Sequence, residues 1–306
     1  MASTRIQRIL VTGVSGFLGR YIVSSLQGRY EVLGTYRHQA TDVDGCALVR
    51  LDVADAEAVP AVFRAFRPDA VVHTAALGDV DACERHPEEA HRVNVQGAAC
   101  VAQAAREVGA RLIHISTDQV YDGGKGHYDD DDAAHPLMVY GHTKLEGERR
   151  VAVICPEAVT LRLALMYGWG TPSRLNFVDW LAERLRAGQE VPVFVDQYRT
   201  PLYVAQAAEA IGRLIETPEV HGRFNLGGGE RITRYVFGRK FCEVFGFPTA
   251  LLKPTEMSSV GGIAARPRDC SLNSSKLTAR LHMRPLTAEE GLRLMWQQRG
   301  GSPPVH

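Results

Sequence analysis

Tyr140 and Lys144 stand four residues apart in Tyr-Gly-His-Thr-Lys, a spacing that sets both side chains on one face of a helix. An ammonium beside a phenol favours the phenolate. The pair therefore reads as a tyrosine whose pKa, ordinarily about 10, is lowered for proton exchange with a carbonyl or an alcohol. Upstream, Ser116-Thr117-Asp118 offers hydroxyls that can hold the same oxygen. Near the N-terminus, Gly13-Val14-Ser15-Gly16-Phe17-Leu18-Gly19 supplies the other half of a redox reaction, a seat for a dinucleotide. Tyr-x-x-x-Lys alone is common on solvated helices, but in this order and register with the other two motifs it points to hydride transfer.

Alternating elements must carry these residues. Short apolar, β-branched runs at 6–12, 31–36, 47–51, 69–74, 111–116 and 159–165 read as strands. Periodic stretches at 17–26, 55–66, 88–108 and 139–154 read as helices, the third capped by Gly109. The alternation predicts an α/β fold, a Rossmann-type doubly wound parallel sheet covered on both faces, with a smaller C-terminal substrate-binding lobe. Beyond residue 167, prolines from Pro172 to Pro285 break the pattern into short pieces. The expected division is a dinucleotide-binding domain over 1–166, with returning segments near 191–230, and a smaller lobe from 167–190 and 231–306. Helices are expected at 203–216, 233–245 and 287–297. The Asp129–Asp132 run reads as a solvated loop, and the tail at 300–306, Gly-Gly-Ser-Pro-Pro-Val-His, as a disordered end or a partner-binding segment.

At the dinucleotide seat, Gly13 permits the tight turn, Gly16 lets the backbone approach a pyrophosphate and Gly19 lets the helix pack closely. Ser15, Phe17 and Leu18 complete the turn, and the helix start offers free amides and a positive dipole end. The second strand ends Gly34-Thr35-Tyr36-Arg37-His38, with no carboxylate for ribose hydroxyls. Arg37 instead suits a ribose 2′-phosphate, with Arg20 to assist, so NADP(H) is the expected coenzyme and NAD(H) the second candidate. Asp52, followed by Val53, is positioned to meet the adenine amine. Thr74, Ala75 and Ala76 would lie beneath the ribose.

The 306 residues carry no formal net charge, with 45% hydrophobic and 23% charged side chains. That balance suits a soluble globular protein and argues against a nucleic-acid or membrane-surface binder. No apolar run reaches a bilayer-spanning length, and no signal peptide is visible, so a cytoplasmic location is expected. Cys46, Cys83, Cys100, Cys155, Cys242 and Cys270 are scattered without metal-ligand spacing, which reads as inert thiols in a reducing compartment and no metal site.

Taken together, these residues resemble the extended short-chain dehydrogenase/reductase superfamily from Ile9 to about Leu165, and more weakly to Leu277. His73-Thr-Ala-Ala-Leu-Gly-Asp-Val-Asp-Ala-Cys-Glu84, Val93-Asn94-Val95, Ile115-Ser-Thr-Asp-Gln-Val-Tyr-Asp-Gly123 and Val139-Tyr-Gly-His-Thr-Lys-Leu-Glu-Gly147 resemble the branch typified by dTDP-4-dehydrorhamnose reductase. That branch also includes the non-catalytic regulatory β-subunit of methionine adenosyltransferase. The resemblance implies Thr117, Tyr140 and Lys144 as catalytic residues. Thr117 would hold the substrate carbonyl, Tyr140 would protonate it, and Lys144 would tune the tyrosine and hold the nicotinamide ribose. Asn94 would orient the lysine through backbone or water. Asp79, Val80, Thr117, Gln119, Val120 and Arg199 are the implied substrate contacts.

Three positions depart from the branch: Leu165 where a tryptophan of the sugar pocket is usual, Gln119 where a tyrosine is usual, and Arg199 in Asp196-Gln-Tyr-Arg-Thr-Pro201. Arg199 is expected at the mouth of the cleft, where it, Arg266 or Arg268 would pair with a diphosphate. The implied activity is NADPH-dependent reduction of a keto group on a nucleotide-linked sugar. The alternative is an NADP-binding regulatory subunit with a partner enzyme. An epimerase or dehydratase ranks last, because dehydratases of the superfamily place Asp-Glu after the threonine and this chain has Asp118-Gln119. A homodimer is expected by analogy with the fold alone.

Overall fold

In the computed structural model, residues 6–38, 43–170, 176–261 and 264–298 are described. Pro172 and the 300–306 tail lie outside them. The chain runs β1 (Arg8–Thr12), α1 (Phe17–Leu26), β2 (Glu31–Tyr36), β3 (Ala47–Arg50), α2 (Ala58–Phe66), β4 (Ala70–His73), α3 (Val80–Arg85) and α4 (Pro87–His91). It continues through a π-helical turn (Arg92–Gln96) into α5 (Gly97–Val108), β5 (Arg111–Thr117), α6 (Val139–Ile154) and β6 (Val159–Leu163). Then follow β7 (Met166–Tyr167), α7 (Phe177–Arg186), β8 (Val191–Phe194), β9 (Tyr198–Arg199), β10 (Leu202–Tyr203), α8 (Val204–Glu216) and β11 (Gly222–Leu226). The end comprises β12 (Ile232–Thr233), α9 (Arg234–Phe245), β13 (Leu252–Thr255), α10 (Ser275–Arg280) and α11 (Ala288–Gln298).

Seven strands form one parallel sheet in the order β11-β6-β5-β4-β1-β2-β3. The strands are added outward one way from β1 to β3 and the other way from β4 onward, so the crevice for a ligand opens where β1 and β4 end. Helices cover both faces. Ile9 and Val11 of β1 pack with Leu18 and Ile22 of α1 and Ile211 of α8, while Leu10 points the other way to Phe63 of α2 and Val101 of α5. A separate apolar cluster joins α7, β8, α9, β13 and α11 around Leu181, Val193, Phe241, Leu252 and Leu292. Its short strands pair with one another, β13 alongside β8 and β12 against β9.

Three expectations change. The stretch 88–108 is two helices joined by a π turn, and the helix expected from residue 55 starts at Ala58, because Asp55 accepts hydrogen bonds from the amides of Glu57 and Ala58. The acidic run is a pin rather than a solvated loop: buried Asp130 accepts from the amide of Asn225, and Asn273 donates to Asp129 at 2.7 Å. No helix among the described residues is long and apolar enough to cross a membrane.

Candidate active site

β1 delivers the chain into Gly13, whose φ of +73° belongs to the left-handed region. A Cβ there would stand 2.9 Å from the backbone of Ala75, so the β4 end closes directly over the turn. Gly16 caps α1 with no side-chain bond, and no acidic residue follows in the first turn. The opening amides and positive dipole end of α1 are thus left for an anion. A cavity of about 350 Å³ adjoins this turn, lined by Gly13, Ser15, Gly16, Arg37, Val53, Thr74, Ala75 and Ala76. Thr35, Tyr36, His38, Leu51, Leu77 and Val93, none of them among the expected coenzyme contacts, complete it. Leu18 and Gly19 are buried, and Phe17 packs on the main core. An uncapped helix start, a backbone closely overlaid and a pocket between strand ends fit the diphosphate and adenosine of a dinucleotide.

Residues 37, 52, 89 and 92 form an ion cluster at one end of this cavity. Asp52 bonds to Arg92 at 2.9 Å and Arg37 at 3.2 Å while its other oxygen accepts from the Ala54 amide. Its carboxylate, expected to meet an adenine amine, is engaged by these partners, which hold it below its ordinary pKa despite partial burial.

Thr117 ends β5 and Tyr140 opens α6, one residue after its start. Alternation along β5 sends Thr117 and Ser116 to opposite faces, and Ser116 bonds to Glu148 behind the site. Thr117 hydrogen-bonds with the Tyr140 phenol. Burial nevertheless holds the phenol well above its ordinary pKa; the Thr117 bond works against this, and the charge of Asp118 adds to it. This corrects the expectation that Lys144 lowers the tyrosine. One helical turn on, the Lys144 ammonium donates to the Ile115 carbonyl of β5 at 2.7 Å. A neutral phenol carries the proton that a newly formed alkoxide needs, so the arrangement suits reduction of a carbonyl.

Burial holds Lys144 down to about 8, against the opposing charge of Glu148. Below the lysine, the fully buried rings of His73 and His114 lie 5.3 Å apart. Burial keeps both imidazoles neutral, His73 down to about 3, with the Lys144 charge contributing. Between about pH 8 and 10.5 the unfolded chain binds more protons at this lysine than the folded one, so its contribution to stability rises with pH in that window. At about 1.4 kcal/mol per unit, the whole effect is about 3 kcal/mol. We expect the stability difference between Lys144→Met and the parent protein, measured by urea unfolding, to change by that amount from pH 8 to 10.5 in the parent's favour. A difference flat with pH would show that Lys144 titrates normally.

Other expected residues are placed differently. Asn94 lies in the π turn, accepting from the Leu77 amide at 2.8 Å and donating to Thr143 at 3.0 Å and to the Leu77 carbonyl, so it fixes the β4–α3 loop on α6 rather than orienting Lys144. A Cβ at Gly147 would come within 2.5 Å of the Asn94 carbonyl, which is why α6 can seat this deeply. Asp79 caps α3 through the Ala82 amide, and Val80 begins that helix. Gln119 is half-buried after Thr117, whereas Val120 is fully buried in the main core and has no surface for a substrate.

Arg199 is buried rather than at the cleft mouth. It donates to the carbonyls of Tyr198 and Pro267 and pairs with Asp118 at 3.5 Å. Arg266 pairs with Asp81 at 3.0 Å. Arg268 is exposed. Arg234 was not legible in the sequence: it lies over the Phe177 ring at 4.6 Å and bonds to Gln197. Burial and the charge of Arg199 hold it below the usual guanidinium range. Its signal exists only in three dimensions, since residues 118, 199, 234 and 266 meet from four separate segments.

A parallel sheet with its crevice at the β1–β4 reversal, a glycine turn into an uncapped helix, and a Thr/Tyr/Lys set at the end of β5 define a dinucleotide-dependent oxidoreductase of the short-chain type. The comparisons with known proteins narrow the class. The chain belongs to the RmlD substrate binding domain family, whose sequence profile matches residues 7–300. It is 35% identical over 286 residues to the "probable low-salt glycan biosynthesis reductase Agl14" of Haloferax volcanii, covering 92% of this chain and 95% of that protein. It is 33% identical over 281 residues to "methionine adenosyltransferase 2 subunit beta" of Danio rerio, covering 90% and 85%. Among solved structures, dTDP-4-dehydrorhamnose reductase from Bacillus anthracis in complex with NADP superposes with a TM-score of 0.84 at 26% identity, covering 96% of this chain and 100% of that one.

Proposed function

We propose that the protein is an NADPH-dependent reductase of a keto group on a nucleotide-linked sugar, with dTDP-4-dehydrorhamnose the first substrate to try. The observation that carries this reading is the hydrogen-bonded Thr117–Tyr140 pair with a neutral phenol, beside the glycine turn. Likeness to a dTDP-4-dehydrorhamnose reductase bound to NADP and to a glycan biosynthesis reductase supports it. Gly13 to Gly19, Arg37, Val53 and Thr74 to Ala76 would hold the coenzyme, which when bound supplies the hydride. Thr117 holds the substrate oxygen, Tyr140 gives it the proton, and Lys144 contributes positive charge at the developing alkoxide and holds the nicotinamide ribose. The reading includes a cytoplasmic location and a homodimer.

A second reading, an NADP-binding regulatory subunit, draws on the 33% identity to methionine adenosyltransferase 2 subunit beta across nine-tenths of the chain. NADPH oxidation by the purified protein against a panel of nucleotide-linked 4-keto sugars separates the two. Consumption that disappears with Tyr140→Phe supports the reductase and ranks its substrates. Tight NADPH binding with no consumption on any member favours the regulatory reading and directs attention to a partner enzyme.

A further inference from the structure

We propose that Glu89 sets the coenzyme preference: its carboxylate holds Arg37 in an electrically neutral cluster and so restrains selection of NADPH over NADH. The inference rests on the dinucleotide reading above and concerns its adenosine end. Arg37 leaves the end of β2 and lines the cavity. Its Nε faces Asp52 at 3.2 Å and one terminal nitrogen faces Glu89 at 2.7 Å. Glu89, on α4, is clamped in turn by Arg92, whose Nε reaches it at 2.7 Å and which also bonds to Asp52 at 2.9 Å. Two guanidinium groups and two carboxylates close on one another, each side chain about one-third exposed.

Two consequences follow for a ribose 2′-phosphate. A guanidinium binds phosphate best through two adjacent N–H groups. Arg37 has two such edges, and one donor of each is already taken, Nε by Asp52 and the terminal nitrogen by Glu89. A phosphate must displace one of them to pair bidentately. The four charges of the cluster cancel, so a phosphate carrying roughly −1.5 to −2 gains no net positive charge from it and sits close to two fixed anions. Arg50, which donates to the Arg37 carbonyl at 3.1 Å, stands outside the cluster. The pairing with Arg92, first among its causes, holds the Glu89 carboxyl down to about 2, so it stays charged through any working pH. Asp52 also anchors the turn after β3 through Ala54, which leaves Glu89 as the member that tunes the charge without building the pocket wall.

Equilibrium titration with NADPH and with NADH, followed by nicotinamide fluorescence and independent of turnover, tests this on the full chain. Glu89→Gln should tighten NADPH on the order of tenfold, the scale of one partly screened unit charge beside a phosphate. NADH should change by less than about twofold. Adding Arg37→Gln to Glu89→Gln should remove the gain, because the freed guanidinium is its source. Equal tightening of both coenzymes, or an unchanged affinity ratio, overturns the proposal. Loss of both coenzymes in Glu89→Gln also overturns it, since the carboxylate would then belong to the seat itself. Failure of the parent protein to bind either one overturns the dinucleotide reading and this inference with it.

Discussion

Tyr140→Phe is expected to lower kcat by about a thousandfold, within the range a single positioned proton donor supplies, while the NADPH dissociation constant moves by less than about twofold. The substitution removes one oxygen. The ring remains at the start of α6, half-buried beside the end of β5, so the shape of the seat is conserved. What is lost is the proton that Thr117 helps to aim. Because burial, and then the charge of Asp118, keep the phenol neutral, the hydroxyl is fully protonated at neutral pH. Thr117 has its own bond to Asp118 at 3.2 Å and remains a positioning group. Steady-state NADPH oxidation on the best member of the sugar panel, beside a fluorescence titration of NADPH, gives both quantities. A variant retaining a tenth or more of the parent kcat would move the proton donor elsewhere, and an equal loss of binding would make Tyr140 part of the seat rather than an acid.

Much of the frame is legible in the sequence because its signals are local. Residues 17–26, 31–36 and 139–154 have the expected bounds; a glycine turn marks the first and a β-branched run the second, while the third buries a face of mixed character, with Lys144 and Glu148 beside Leu145 and Val151. The π turn is not legible: one extra residue in a helical stretch leaves the apolar period nearly intact, and only packing of Asn94 against Leu77 and Thr143 reveals it. β11, Gly-Arg-Phe-Asn-Leu, is too polar to read as a strand of the main sheet until β6 is present to pair with it. Charge partners are the least legible of all. Arg37 looks like a free guanidinium because Glu89 lies 52 residues away in the sequence, and Lys144 looks like the neighbour of Tyr140 because helical spacing gives a common face but not the direction of a long side chain. A motif therefore predicts which residues gather, whereas the charge state of the gathered group depends on burial and partners brought from elsewhere.

The largest stability effect is expected one turn below Lys144. Arg162 is fully buried and gives two bonds to Glu148, at 2.9 and 2.6 Å, and a third to the Tyr121 hydroxyl at 2.9 Å. Ser116 adds a hydroxyl to Glu148, and Tyr121 in turn bonds to Asn225 of β11. This network ties α6, β5, β6 and β11 together beneath Thr117, Tyr140 and Lys144. Glu148→Leu would leave a guanidinium inside the protein with no counter-charge, which costs about 3–5 kcal/mol. Arg162→Met would strand the carboxylate at a similar cost. The double variant removes both charges, and an apolar pair of similar volume in a buried site is often neutral or stabilising, so most of the loss should be recovered. Urea unfolding of the four proteins closes the cycle and should give a coupling of several kcal/mol. Additive losses would mean that the two charges are solvated independently. The cycle also separates support from chemistry, because Glu148 opposes the burial that lowers Lys144. In the refolded double variant the lysine loses that anion, and its titration should move further below about 8, shifting the window in which its charge changes even where the fold is restored.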